Sequence, residues 1–244
     1  MDAVDARVDA GSLAGRVLAL AGAGGTLGPT VVRRLASARA ILELAGRNEE
    51  PLLELAQETG GEVGASAVDL LDPGAARTWA DGIAERRGRV DGLVHMIGGW
   101  RGGSPIEEQP LEDWAFLEPL LVRTLVHTTQ AFVPHVLVSG RGRVVVISAG
   151  QAQAPTHTNA LYAAAKAAGE TWTLALADRF RKTGSTANVV VVGALVTPAM
   201  REESPDKDFS TFTPAEEIAD AIAYLASDSA TAMNGQRLTL RGAS

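Results

Sequence analysis

One segment of this chain has residue types and spacing that could do chemistry. Tyr162-Ala163-Ala164-Ala165-Lys166 sets a phenol and an amine four residues apart. On a helix, positions i and i+4 share a face, so the two groups point into the same space. A nearby ammonium favours the phenolate and draws the tyrosine down from its usual value of about 10. The pair then makes a general acid for reducing a carbonyl, or a base for oxidising an alcohol. Taken alone, the spacing is common by chance and mostly structural, so its weight depends on what surrounds it.

A second group lies near the start of the chain. Ala21-Gly22-Ala23-Gly24-Gly25-Thr26-Leu27-Gly28 follows an apolar run and is followed by a helical pattern opened by Pro29. Glycines allow a tight turn there and let backbone N–H groups approach a pyrophosphate, which a helix N-terminus favours electrostatically. Two spacings fit: G-x-x-x-G-x-G from Gly22 to Gly28 with Thr26 in place of the middle glycine, or G-x-x-G-x-x-G on Gly22, Gly25 and Gly28. Both point to a dinucleotide, against the plainer reading of a tight turn. The second apolar run ends Ala45-Gly46-Arg47-Asn48, where an acidic residue would bind an unmodified ribose. Gly46 and Arg47 instead offer space and a guanidinium fork for a 2′-phosphate, which favours NADP(H) over NAD(H); a solvated surface arginine is the plainer alternative. Asp69 and Leu70 end the third run. Asp69 there suits an adenine amino group, or merely caps the turn into Asp72-Pro73.

The elements that must position these groups alternate along the chain. Strands are expected at 17–21, 40–45, 63–68, 92–97, 143–148, 188–192 and 237–240, the first six reading as apolar runs rather than clean polar/apolar alternation, as expected of parallel strands covered on both faces. Helices are expected at 29–37, 49–59, 73–86, 111–137, 161–182 and 214–226. This repetition predicts an α/β fold, a single Rossmann-like doubly wound parallel sheet of about seven strands with helices on both faces. No Pro-, Gly- or Ser-rich linker divides it. The reading is therefore a mobile leader over residues 1–14 and one NAD(P)-binding domain over 15–244.

Composition removes several function classes. The 244 residues contain no cysteine, which excludes disulfides, iron–sulfur clusters, zinc ribbons and a thiol nucleophile, and suits a reducing cytoplasm. His95, His127, His135 and His157 have no metal-ligand spacing, so no metal is expected. A net charge of −7 without a basic run argues against nucleic acid and anionic membrane as partners. The first fifteen residues carry Asp2, Asp5 and Asp9 and do not read as a signal peptide, and no apolar run reaches membrane-spanning length.

From about Gly15 to the C-terminus the chain resembles the short-chain dehydrogenase/reductase family. The matches are the turn Gly22–Gly28, Asp69, Gly98 after the fourth strand, the Tyr162/Lys166 pair, and Asn188–Gly193 leading to Thr197-Pro198. The resemblance implies a nicotinamide cofactor held by Gly22, Gly25, Thr26, Leu27, Gly28, Arg47, Asp69, Leu70, Gly98, Tyr162, Lys166 and Thr197. Thr197 would contact the carboxamide and Lys166 the nicotinamide ribose, with Tyr162 and Lys166 catalytic. It also implies a homotetramer or homodimer built on the helices at 111–137 and 161–182, where small residues at 163–165 and 167–169 suit close approach.

The departures from the family pattern bear on activity. Where the family has Asn-Asn-Ala-Gly, this chain has His95-Met96-Ile97-Gly98; its substrate-polarising serine falls at Ala149, and its asparagine near Leu121. Losing an oxyanion-type donor commonly costs about 100- to 1,000-fold in turnover. Ser148, Gln151 and Thr156-His157-Thr158-Asn159 are the candidate replacements. Trp100 is a candidate pocket residue, and the polar segment 201–213 is placed like the family's substrate lid, with a composition that reads as mobile. Two readings remain: an NADP(H)-dependent oxidoreductase acting on a small carbonyl, alcohol or enoyl substrate, or a non-redox or weakly active protein of the same fold.

Overall fold

The structure is a computed structural model, and it describes residues 13–242. Strand and helix alternate through the first half: β1 Val17–Ala21, α1 Gly28–Ser37, β2 Ile41–Gly46, α2 Glu49–Thr59, β3 Val63–Ala67, α3 Pro73–Arg87 and β4 Gly92–His95. The second half holds α4 Leu111–Glu118, α5 Thr124–Ser139, β5 Arg143–Ala149, α6 Ala160–Arg179 and β6 Thr186–Val192. A short pair, β7 Leu195–Val196 and β8 Thr213–Pro214, brackets α7 Pro198–Glu203, and α8 Ala215–Ala226 and β9 Arg237–Leu240 follow. Seven strands form one parallel sheet in the order β3-β2-β1-β4-β5-β6-β9.

The pleat explains why the inner strands carry apolar residues on both faces. Leu18 and Leu20 of β1 join Leu42, Leu44, Val94 and Val190 in a core closed by Val31 and Leu35 of α1 and by Ile218 and Ile222 of α8. Val17, Ala19 and Ala21 point the other way, into a core with Val144, Val146, Trp79 and Ile83 of α3 and Phe132 of α5. Successive residues therefore serve opposite layers. Each large apolar side chain buried in this way contributes about 1.5–3 kcal/mol. The edge strands β3 and β9 are only half-covered, and β3 departs in that respect from the apolar pattern expected of it.

Three expectations need correction. The helix expected over 111–137 is interrupted by a π turn, Pro119–Arg123, closed by the Thr124 N–H on the Pro119 carbonyl. Pro119 has no N–H to give the α ladder, and the Thr124 hydroxyl donates to the Leu120 carbonyl at 2.7 Å, which stabilises the wider turn. Of the expected leader, residues 1–12 lie outside the described residues, while Leu13 is already in the core with its N–H on the Ala38 carbonyl at 3.0 Å. Segment 201–213 begins in a helix rather than a free loop, and Phe209 is buried edge-on against Phe212 with Lys207 over both rings. Among the described residues, no helix is long and apolar enough to cross a membrane.

Candidate active site

The chain winds outward from β1 through β2 to β3, then returns to place β4 on the other side of β1. A crevice must open at the carboxyl ends of the strands where the winding reverses, and ligands of such sheets bind there. A cleft of about 300 Å³ occupies this point. It is lined by Gly22, Gly24 and Gly25 after β1, Gly46, Arg47 and Asn48 after β2, Val68 to Leu71 after β3, and Met96, Ile97 and Gly98 after β4, with Leu120 and Thr124 from the π turn and α5. The sequence-predicted Gly22, Gly25, Arg47, Asp69, Leu70 and Gly98 thus meet on one surface.

The glycine turn is dictated by crowding. Gly22 has φ of +84°, and a Cβ there would lie 3.0 Å from the Ile97 nitrogen; a Cβ at Gly28 would lie 1.8 Å from the Ala23 carbonyl oxygen. The Gly25 N–H bonds the Gly22 carbonyl at 3.1 Å and the Gly28 N–H the Gly25 carbonyl at 3.0 Å. The amides of Gly24, Thr26 and Leu27 have no acceptor among the described residues. Thr26 is exposed, whereas the Leu27 side chain enters the core and leaves only its backbone at the turn. Free amides at the head of α1 form a cradle suited to phosphate. Arg47 is exposed on the rim and pairs with nothing among the described residues. Asp69 accepts the Leu71 N–H at 2.9 Å through Oδ1, and Asp72 accepts the Gly74 N–H at 2.7 Å to cap α3. These groups fit a dinucleotide.

Tyr162 and Lys166 lie one turn apart on α6, but their electrostatics differ from expectation. Tyr162 packs against the small core of Leu117, Leu121 and Ala165, and its hydroxyl bonds nothing among the described residues. Burial pushes its phenol up to about 12, so the expected lowering by Lys166 is not found. Lys166 is buried and donates to the Ile147 carbonyl at 3.1 Å, facing the inside of the protein. Desolvation lowers its amine to about 8, against the opposing pull of Glu170. His95, also buried, is pushed down to about 3 by burial and by Lys166, and is therefore neutral.

A cavity of about 10 Å³ lies behind the pair, lined by His95, Ile97, Leu121, Ile147, Ser148, Lys166 and Glu170 among others. Ser148 donates to Glu170 Oε1 at 2.6 Å, so this hydroxyl is committed inward. Ala149 follows it, buried at the end of β5. Of the other candidate replacements, Asn159 Oδ1 accepts the Thr156 N–H at 2.9 Å and the Thr156 and Thr158 hydroxyls bond each other at 3.1 Å. His157 is exposed, and Gln151 Oε1 is buried without a partner.

Residues 22–242 match the family model described as enoyl-(acyl carrier protein) reductase. The chain belongs to the short-chain dehydrogenase/reductase family. It is 33% identical over 239 residues to (2S)-[(R)-hydroxy(phenyl)methyl]succinyl-CoA dehydrogenase subunit BbsC of Thauera aromatica, covering 93% of this chain and 94% of that one. Gluconate 5-dehydrogenase of Gluconobacter oxydans is 30% identical over 245 residues, with 95% of each covered. The structure of a putative short chain dehydrogenase from Pseudomonas syringae superposes with a TM-score of 0.84 at 26% identity, over 93% of this chain and 95% of that one. The short-chain dehydrogenase/reductase fold implies a nicotinamide cofactor. Among the described residues, no group of three or more metal-ligating side chains could hold an ion.

Six of the twelve residues expected to serve the cofactor, Thr26, Leu27, Gly28, Tyr162, Lys166 and Thr197, stand outside the cleft lining. Thr197 is buried at the head of α7, its hydroxyl oxygen accepting the Met200 N–H at 3.2 Å. Lys166 faces the inner cavity. Trp100 is exposed beside Gly102 and Gly103, outside the cleft lining. Glu170 and Arg237 were not singled out by sequence, although Tyr162, Lys166 and Glu170 share a spacing of four residues that places them on one helix face.

Proposed function

We propose that this chain is an NADP(H)-dependent oxidoreductase that moves hydride to or from a small carbonyl, alcohol or enoyl substrate, with Tyr162 as its acid/base. The observation that carries the reading is the coincidence, on one sheet edge, of a free-amide cradle with the Tyr162/Lys166 helix turn. A bound nicotinamide supplies the hydride or accepts it. The amides of Gly24, Thr26 and Leu27 would take the pyrophosphate, and unpaired Arg47 a 2′-phosphate. Asp69, Leu70 and Gly98 would line the adenosine and nicotinamide ends. Lys166 and Thr197 would orient the nicotinamide half. With its phenol at about 12, Tyr162 holds its proton at neutral pH, which suits donation to a developing alkoxide or enolate and hence reduction. Gln151, two residues beyond Ala149 and with an amide NH₂ that donates to nothing among the described residues, is the side chain best placed along the chain to polarise the substrate.

A second reading, a non-redox or weakly active member serving as cofactor sensor, partner subunit or isomerase, draws on the inward commitment of Ser148 beside Ala149. Titration with NADPH and NADH by tryptophan fluorescence separates the two readings, followed by a carbonyl and enoyl panel. Binding of NADPH with turnover supports the first. Binding without turnover in the wild type, and none gained by Ala149→Ser, supports the second. Failure to bind either nucleotide removes the redox mechanism. We also propose self-association through α6, where Ala164 and Ala168 are exposed four residues apart; light scattering of the purified protein tests it.

A further inference from the structure

Glu170 is a buried carboxylate that the reading above does not use. It is 2% exposed, and three side chains hold it: Ser148 of β5 at 2.6 Å, Arg237 of β9 at 2.5 Å, and Gln153 of the segment before α6 at 3.3 Å on Oε2. Such a group is costly to bury unless it is fully bonded and serves a charge. Arg237 is one such charge, in direct contact, and a second lies one helical turn away. Lys166 projects from the same face of α6 and is also buried, its only bond among the described residues being to the Ile147 carbonyl at 3.1 Å. The two charges make no direct ion pair, and both line the cavity of about 10 Å³, together with His95 and Ser148. That space is about one water molecule, and the lining supplies the donors and acceptors a buried water needs.

Resting on the oxidoreductase reading, we propose that Glu170 is a positioning residue for the Tyr162/Lys166 pair. Across one bridging water it supplies the counter-charge that keeps Lys166 an ammonium, while Arg237 and Ser148 fix its carboxylate. Every titratable group packed against Lys166 is consistent with this assignment. His95 on β4 is neutral and cannot compensate a cation; Tyr162 keeps its proton; Arg237 on β9 is itself a cation and bonds Glu170. The π turn and α5 present only Leu121, Thr124 and Leu125. Glu170 is thus the one anion facing the amine among the described residues.

The chain has only three lysines, Lys166, Lys182 and Lys207, so the amine can be watched directly. In protein labelled with ¹⁵N-lysine, Lys166 is assigned by its loss in Lys166→Met and its midpoint followed by NMR against pH. Glu170→Gln is expected to move that midpoint down by one pH unit or more, and Glu170→Asp by clearly less. Arg237→Gln, which strips a cation from the partly exposed side of the cluster, is expected to move it up. If Glu170→Gln does not fold, the upward movement in Arg237→Gln carries the test. A midpoint unmoved in Glu170→Gln, or unmoved or falling in Arg237→Gln, overturns the proposal. In the enzymatic assay, Glu170→Gln should shift the alkaline limb of kcat to lower pH with little change in KM. Absence of turnover in the wild type would sink the oxidoreductase reading, while the NMR titration would still decide the role of Glu170.

Discussion

Arg143 and Arg47 stand at opposite ends of the same sheet and are treated in opposite ways. Arg143, at the amino end of β5, is 1% exposed and donates to the carbonyls of Arg141, Gly142, Gly184 and Ser227 and to the Thr231 hydroxyl. Beside it, Asp91 accepts from the Val17 N–H, Ser139, Arg89 and Arg141, and Arg16 reaches Asp228. Arg47, at the carboxyl end of β2, donates to nothing among the described residues. At the amino end, most polar groups are bonded by the chain itself and fasten strand to helix, although Arg16 Nε and the Thr186 hydroxyl are buried without a partner among the described residues. At the carboxyl end, amides, a guanidinium and a phenol are left with capacity unspent. Free amides at a helix head and a guanidinium on the rim of one cleft, at the point where the winding reverses, are placed to take a ligand.

The largest effect expected from this contrast is on turnover alone. Tyr162→Phe removes a hydroxyl that holds no partner, so the melting temperature should stay put while hydride transfer falls about 100- to 10,000-fold. NADPH affinity should be retained. An equal rate in the variant would remove Tyr162 from the chemistry and move the reading toward a repurposed pocket. In the wild type, reduction should be flat through neutral pH and decline as Lys166 loses its proton near 8.

At the other end the effect should be on stability alone. Asp91→Ala strands the Val17 N–H and frees two arginines, and is expected to cost about 3 kcal/mol, or roughly 6–12 °C in Tm, with kcat of the folded fraction unchanged. Burial pushes the Asp91 carboxyl up, but hydrogen bonds from Ser139 and Arg89 and the Val17 N–H outweigh it and leave it below the ordinary carboxylate range. Its stabilising contribution is therefore complete above the unfolded value of about 3.9 and is lost as pH falls through the lower folded value. Urea midpoints of wild type and variant should accordingly converge in acid; a constant gap down to pH 2 would contradict the assignment.

How far the two ends could be read from the sequence follows from the range of the interactions at each. β1, α2 and β9 run between their expected residues, because apolar runs and helical periodicity are local signals. The glycine turn was legible for the same reason: at Gly28 the missing Cβ is required by Ala23 within the turn itself, and at Gly22 by a positive φ, although the crowding of Gly22 by Ile97 is long-range. The Tyr162/Lys166 pair was legible as a spacing but not as electrostatics. Its outcome depends on how deeply Leu117, Leu121 and β5 bury it, which no local pattern encodes. Glu170 lay on the same helical face, yet its bond to Arg237 spans 67 residues and only the closed sheet brings them together. The π turn was missed for a different reason: Pro119 is a local signal, but the helical pattern runs on through it.

Arg47 gives a smaller effect that tests the unspent end directly. Arg47→Ala should weaken NADPH about tenfold, the loss of about 1.4 kcal/mol expected for a charge-assisted contact at an exposed rim, and leave NADH and Tm unchanged. Equal loss for both nucleotides would show that Arg47 serves the shared pyrophosphate, and no loss would return it to the solvated surface.

Asp69 sits between the two regimes and gives the finest test. One of its oxygens is spent on the Leu71 N–H at 2.9 Å, as a structural aspartate's would be, while the residue also lines the cleft, as a ligand's partner would. Asn is the substitution that separates these uses. Its amide oxygen can keep the turn, but the group opposite becomes an NH₂ donor, which cannot accept from an adenine amino group. Asp69→Asn should therefore leave the thermal transition in place and weaken NADPH and NADH alike by about three- to tenfold, the loss of roughly 1 kcal/mol for one hydrogen bond. Binding unchanged in Asp69→Asn, with Asp69→Ala losing stability, would place Asp69 with Asp91 as a fastening residue and narrow the unspent surface to the turn amides and Arg47.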